Sequence, residues 1–302
     1  MNQLLLFWGM LFYSYFVWSC DICGGVGSNA TIGLFASNRF HTAGLRIQQS
    51  QFTTFSDGYI HSTEFLTQGE VNARFQLGKK WQLFLFQPYQ IALQKRLLGQ
   101  TALYGLGDPT VIGNATLIDR KDSNHVTRLF LTMGGGVKFP VGRKTTSKDP
   151  LRNLYPGSGS FEFLFIQSAT HRPLAHCGWQ AENSFALKTK NLEGFANGHS
   201  WQLTGVWFWD LKLAGYRLFP ALGFSSEHFW ANRSNQTDLS NVDGKGLRYS
   251  GRAQVSLFTR RFLFNLGGNI PIFQNINSGQ TLLNYQISLS GQYIIPLKNK
   301  KS

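Results

Sequence analysis

The residues best equipped for chemistry stand early in the chain, in Cys20-Asp21-Ile22-Cys23-Gly24-Gly25. Two cysteines at this spacing can chelate a soft metal ion or close a small redox disulfide. A structural zinc site needs four ligands. The sequence holds no second C-x-x-C, and its third cysteine is Cys177, preceded by His176. A set of Cys20, Cys23, His176 and Cys177 is chemically allowed. A structural disulfide in an oxidising compartment is the plainer use of these thiols. Three cysteines cannot all pair, which fits a lipidated Cys20 with Cys23 free or joined to Cys177. Haem attachment is excluded, because Gly24 rather than a histidine follows Cys23. The expectation is therefore no resident cofactor, a soft metal ion at Cys20 and Cys23 being the one exception.

Catalytic sets are sought next. Nucleophilic catalysis needs a Ser or Cys, a His base and an orienting partner. The seven histidines are scattered: His41, His61, His125, His171, His176, His199 and His228. Ser225-Ser226-Glu227-His228 are neighbours in sequence, so on a strand they point to opposite faces. Neither G-x-S-x-G nor H-E-x-x-H occurs. Gly134-Gly135-Gly136 lacks the Lys-Ser/Thr ending of a phosphate loop, and reads as a sharply curved place in a strand. The chain is not expected to be an enzyme. Nucleic-acid binding is not expected either, since the longest basic run is Lys298-Asn299-Lys300-Lys301.

The elements that must carry these residues are strands. Leu283, Tyr285, Ile287, Leu289, Gly291, Tyr293 and Ile295 alternate with mostly polar residues, which predicts one strand with a single apolar face. A run of this length matches a strand crossing a bilayer at a tilt, roughly 9–11 residues. Only 15% of the 302 residues are charged, against roughly 25% in a soluble domain. Aromatics also make up 15%, and mean hydropathy is −0.16. Apolar residues diluted by alternating polar ones describe a barrel with a lipid face and a wet lumen. A helical membrane protein is excluded, because no later run approaches ~18 apolar residues.

Residues 1–19 read as a signal peptide with an apolar stretch at 4–18. Val17 and Ser19 fit the −3 and −1 positions of a cleavage site before Cys20, and Val17-Trp18-Ser19-Cys20 is also a degraded lipobox. Residues 20–30 form a Cys/Gly-rich segment, and 31–302 the barrel. Candidate strands begin at 31–36 and 43–52. Hairpins are predicted at 61–93, 105–139 and 201–230, the last through Ala214-Gly215. Polar loops are predicted at 142–158 and 231–245. The runs number about 13; since bacterial barrels have even strand counts, an antiparallel transmembrane β-barrel of about 12 strands is expected, with 14 as second choice. Lumen candidates are the polar members of alternating strands: Glu182, Asp210, Lys212, Gln254, Asn284, Gln286 and Gln292.

Tyr104-Gly105-Leu106-Gly107-Asp108-Pro109 resembles the G-L-G-D strand motif of outer-membrane channels in the phenol meta-pathway family, related in style to hydrophobic-compound transporters. Cys20-Asp21-Ile22-Cys23-Gly24, with Ile32-Gly33-Leu34 and Gly44-Leu45-Arg46, resembles the opening of barrels that start with C-D-x-C-G. Members of the latter often carry another cysteine soon after; here Gly25 stands in its place. The resemblance implies an outer-membrane barrel of transporter type and carries over Asp108. That carboxylate either lines the pore, pairing with a lumen arginine, or caps backbone N–H groups of a strand-entry turn.

The expected function is passive transport of a small-molecule solute across the outer membrane of a Gram-negative cell. Its alternative is a non-conducting surface or assembly protein whose C-x-x-C segment binds a metal or periplasmic partner. Expected partners are outer-membrane lipid and lipopolysaccharide, and the barrel-assembly machinery. The net charge of +14 reads either as loops lying against anionic headgroups or as a cationic lumen that favours anions.

Overall fold

The computed structural model describes residues 40–56, 58–97, 99–123, 126–144, 151–234 and 244–296. The expected signal peptide, the segment 20–30 and the candidate strand 31–36 lie outside the described residues. The strands are β1 (Phe40–Ser56), β2 (Tyr59–Leu77), β3 (Trp81–Arg96), β4 (Gly99–Leu106), β5 (Thr110–Lys121), β6 (Thr127–Lys138), β7 (Glu162–Leu174), β8 (Cys177–Lys188), β9 (Phe195–Ala196), β10 (Ser200–Trp209), β11 (Leu211–Leu213), β12 (Tyr216–Phe229), β13 (Arg233–Ser234), β14 (Gly246–Phe258), β15 (Phe262–Ile276) and β16 (Thr281–Pro296). A short 3-10 turn, η1 (Arg152–Leu154), interrupts the loop between β6 and β7.

Fourteen of these strands form one sheet. It closes on itself, because β1 pairs antiparallel with β16 and β10 with β12. β4 and β5 both run along β3, so they are one wall strand broken at Gly107-Asp108-Pro109. β10 and β11 both run along β12, broken at Asp210. The wall therefore has twelve strands, the expected number. Closure leaves an edge only at the rims, where β4 and β11 pair with a strand on one side, and this closure is what lets strands cross hydrocarbon with their backbone groups paired.

Side chains alternate between the two faces of this wall. In β2, Glu70, Asn72, Arg74 and Gln76 are buried inside, while Val71 and Phe75 between them are exposed outside. Outward aromatic rings gather where strands meet the short turns: Trp81, Trp179, Trp207, Trp209, Tyr216 and Tyr293. This is the girdle position at a membrane–water boundary. Those turns hold few residues, as at 78–80 and 214–215, and the opposite end carries the long loops 139–161, 189–199 and 230–245. Long loops mark the outer face of such barrels. At the Ala214-Gly215 turn both residues have positive φ (46° and 85°), the twist a two-residue hairpin needs.

Two expectations are corrected. The apolar residues of 283–295 do not share one face. The register slips between β1 and β16, where Gln51 meets Tyr285 but Phe52 meets Leu283. Leu283 therefore points inward, 2% exposed, whereas Ile287, Leu289, Tyr293 and Ile295 point outward. A bulge inserts one residue and flips every side chain beyond it. The loop 142–158 is not wholly a surface loop either. Its η1 turn dips into the long-loop mouth, where Leu154 packs on inward-facing Phe52, Leu66, Ala92 and Leu283.

Candidate functional site

The inside of the barrel is the candidate site, and it is filled to different degrees along its length. At the short-turn end, inward side chains of five wall strands meet: Phe40, Phe208, Phe219, Leu263 and Ile294 form a buried apolar cluster. Arginines lie against it. The Arg172 guanidinium is 5.1 Å from the Phe208 ring centre and 5.8 Å from Phe219, and Arg217 is 5.1 Å from Phe219. Both pair with Asp210, the residue that breaks β10 from β11: Arg172 Nη1 at 3.0 Å and Arg217 Nε at 3.1 Å. Across the cluster Arg74 stacks 5.3 Å from Phe40 and 5.9 Å from Phe84. Planar, weakly hydrated guanidinium groups suit such aromatic company.

Further in, cations and carboxylates face one another. Arg46 bonds Glu70 at 2.9 Å, Lys138 bonds Glu162 at 3.2 Å, and Arg248 bonds Glu227 at 2.5 Å. In register, Glu162 sits between Lys138 and Lys188. Arg252 of β14 has Glu182 of β8 and Arg46 of β1 as charged neighbours, although each stands three strands away around the wall. Charges from separate walls thus face one another across the lumen. Since Glu162 and Asp210 each serve two cations, positive groups outnumber negative ones.

The lumen has two characters. One wall is apolar, with Phe84, Phe86, Ile112, Leu164 and Ile166 packed together from β3, β5 and β7. Gly134 and Gly136 of β6 make room for it: a Cβ at Gly136 would sit 2.7 Å from Ile112 Cγ1 and 2.6 Å from the Val111 carbonyl. The other wall is polar. Gln180 and Glu182 of β8, Thr204 of β10, and Gln254 and Ser256 of β14 are all buried, and each has a side-chain N or O without a partner among the described residues. An inward polar atom of this kind costs about 1–3 kcal/mol unless water or solute meets it. That strip is the polar side of the lumen.

The sequence candidates fall in several places. Glu182 and Gln254 lie on the polar strip. Asp210 lies in the ion cluster at the short-turn end. Gln286 faces inward, accepting from Asn269 Nδ2 at 2.7 Å and donating to Ser50 Oγ at 3.3 Å. Asn284 sits at the bulge and donates to Thr53 Oγ1 at 3.0 Å. Lys212 is exposed at the rim, opposite Arg217. Asp108 is 1% exposed at the break in the wall and bonds no lumen arginine. Its Oδ1 accepts from the Gly142 N–H, and its Oδ2 from both the N–H and the Oγ of Ser158, each at 2.8 Å. It caps backbone groups, but those of a distant loop rather than of its own turn.

Cys20 and Cys23 lie outside the described residues. Cys177 is buried and forms no disulfide among the described residues, and its neighbour His176 is exposed, so the two face different surroundings. Among the described residues no three His, Cys, Asp or Glu groups are placed to share a metal ion. His171 and His228 lie against Trp179 and Trp230, and Glu227, beside His228, bonds Arg248.

Sequence reasoning missed the inward arginines and the inward phenylalanines. The signal for the latter was present in 81–93, where Phe84 and Phe86 fill the positions between Leu83, Leu85 and Gln87. A run apolar on both faces means an apolar lumen as well as a lipid face.

No protein-family model matches the chain, and no curated protein matches it in sequence. Solved structures do match in fold. An outer membrane channel from Pseudomonas putida F1 superposes with a TM-score of 0.65 at 13% identity, over 85% of this chain and 95% of that one. The chain has the fold of outer-membrane β-barrels. The β domain of the Bordetella autotransporter BrkA follows, with a TM-score of 0.52 at 11% identity, covering 85% of this chain and 100% of that one. Likeness at these identities speaks to the fold.

Proposed function

We propose that this barrel is a passive outer-membrane channel for small solutes. The observation that carries the reading is the polar strip on β8, β10 and β14. A polar strip facing an apolar wall suits a molecule with one polar and one apolar side. The fold likeness to an outer membrane channel supports the same reading. The path is narrow, as expected for a barrel of this strand number. Phe208 and Phe219 set the constriction at the short-turn end, and the small excess of inward cations favours anions weakly. Part of the net charge has another use: Lys79, Lys80, Arg260 and Arg261 sit in the short turns, within reach of anionic headgroups.

Planar-bilayer recording on the refolded full chain tests this. Discrete conductance steps are expected, with a reversal potential in a salt gradient displaced modestly toward the anion. Insertion with electrical silence would overturn the channel reading and favour a non-conducting barrel acting through its N-terminal C-x-x-C segment.

A further inference from the structure

A recess of about 250 Å3 opens at the long-loop mouth, between the inner faces of β1, β2 and β3, the η1 turn, and the turn joining β15 to β16. It is smaller than the roughly 300–1,000 Å3 of a drug-sized site, so it suits a compound of about ten non-hydrogen atoms. One side is apolar: Phe52, Leu66 and Leu154, all buried. The other holds the Glu64 carboxylate, 6% exposed.

Glu64 differs from the paired carboxylates of the lumen. Glu70, Glu162, Asp210 and Glu227 each have a cation within 4 Å. Glu64 has neutral donors instead: Gln94 Nε2 at 2.9 Å, Thr54 Oγ1 at 3.3 Å, and a short bond from Ser62 Oγ. Among the described residues no ion pair reaches it. The register explains the cluster, because Thr54 lies opposite Ser62, and Glu64 opposite Gln94, all on the inner face. Arg96 and His61 line the same recess from its exposed rim, where water screens their charge. A buried carboxylate held only by neutral donors gains most from a cation that brings its own hydrogen-bond donors.

We propose that this recess binds a small amine, its ammonium group on Glu64 and its apolar body against Phe52, Leu66 and Leu154. The site needs the closed barrel and the docked η1 turn; it does not need conduction. Binding at equilibrium therefore separates its failure from failure of the channel reading.

Calorimetry on the refolded full chain in detergent, near neutral pH, would use four probes of similar size. These are 2-phenylethylamine, 2-phenylethanol, 3-phenylpropanoate and phenylalanine. The expected result is saturable binding of the amine at least about tenfold tighter than the alcohol or the acid. Glu64→Gln should reduce the amine to the level of the alcohol, in protein that still shows the heat-dependent gel mobility of a folded barrel. Leu66→Trp fills the recess from its apolar side and should abolish binding of every probe, which serves if Glu64→Gln does not fold. Equal binding of amine and acid, unchanged amine affinity in Glu64→Gln, or saturable binding that survives Leu66→Trp would overturn the proposal. So would phenylalanine binding tighter than the amine with loss in Arg96→Gln, a result that assigns the site to zwitterions.

Discussion

Replacing Asp108 should free the loop between β6 and β7 while leaving the barrel wall closed. The carboxylate joins the break between β4 and β5 to two points of that loop, Gly142 and Ser158, through three bonds of 2.8 Å. Around it the backbones lie in contact: a Cβ at Gly142 would come within 2.7 Å of the Gly107 carbonyl carbon, and one at Gly157 within 2.6 Å of that of Gly142. Asp108→Ala leaves two half-buried backbone N–H groups without their acceptor and the Ser158 hydroxyl with only the Ser160 carbonyl. At about 1–3 kcal/mol for each orphaned donor, the two amides alone cost about 2–6 kcal/mol. The wall itself loses nothing, since the pairings of β3 with β4 and β5 do not use residues 107–109. The loss therefore appears as local opening of the loop. Every 1.4 kcal/mol is tenfold in an equilibrium, so even the lower figure raises the open population about thirtyfold. Hydrogen exchange reads this directly at the Gly142 and Ser158 amides, which should exchange at least about thirtyfold faster in Asp108→Ala, while the β1–β2 amides keep their protection. Asp108→Asn, which retains one carbonyl oxygen, should fall between the two. Exchange at Ser158 within threefold of the unmodified protein, in a correctly folded barrel, would refute the latch.

Gly142→Ala should loosen the same loop without touching Asp108, because its Cβ has no space beside Gly107; exchange at Ser158 checks it. Phe208→Ala should lower stability by about 3–5 kcal/mol, the usual cost of removing a buried Phe ring, and should raise single-channel conductance by opening the short-turn end; urea unfolding and bilayer recording test the two halves separately. Arg46→Met alone should cost about 3–5 kcal/mol by stranding Glu70, whereas Arg46→Met with Glu70→Leu should recover most of it, as a double-mutant cycle would reveal. His199 lies just outside β10, and its Nδ1 accepts the Lys188 N–H at 3.1 Å. Burial, and then the charges of Arg233 and Lys188, hold this imidazole below its ordinary value of 6.5. Its contribution is therefore present above that value and is lost as pH falls through the depressed one, so the Lys188 amide should exchange faster only on the acid side, and His199→Gln should remove the pH dependence.

The strand walls were legible because alternation is a local property of sequence. β10 alternates as a strand should: Trp207 and Trp209 outside, Val206 and Phe208 inside. What alternation cannot reveal is which of two apolar faces meets lipid, and so Phe84 and Phe86 stayed hidden in a run apolar on both sides. Nor does it register a slip. The single residue inserted opposite Gln51 and Phe52 left the period-2 pattern of β16 apparently unbroken, yet it turned Leu283 inward. Pairing within the lumen is further from local sequence still. Arg46 meets Glu70 because β1 and β2 are neighbours, but Arg252 faces Glu182 only because the sheet has closed. Asp108 combines both limits. Its Gly-Asp-Pro setting marks a turn, but its hydrogen-bond partners lie 34 and 50 residues on. Their placement depends on β6 ending at Lys138 while β4 runs on toward the mouth, which leaves a section of wall for the loop to close. The mouth recess depends in turn on that closure, because Leu154 reaches Phe52 and Leu66 only while the loop is held. If the latch opens, the apolar side of the recess disassembles although every strand stays in place. The Asp108 variants therefore carry a consequence for ligand binding: Asp108→Ala should weaken amine binding at Glu64 with the carboxylate itself untouched.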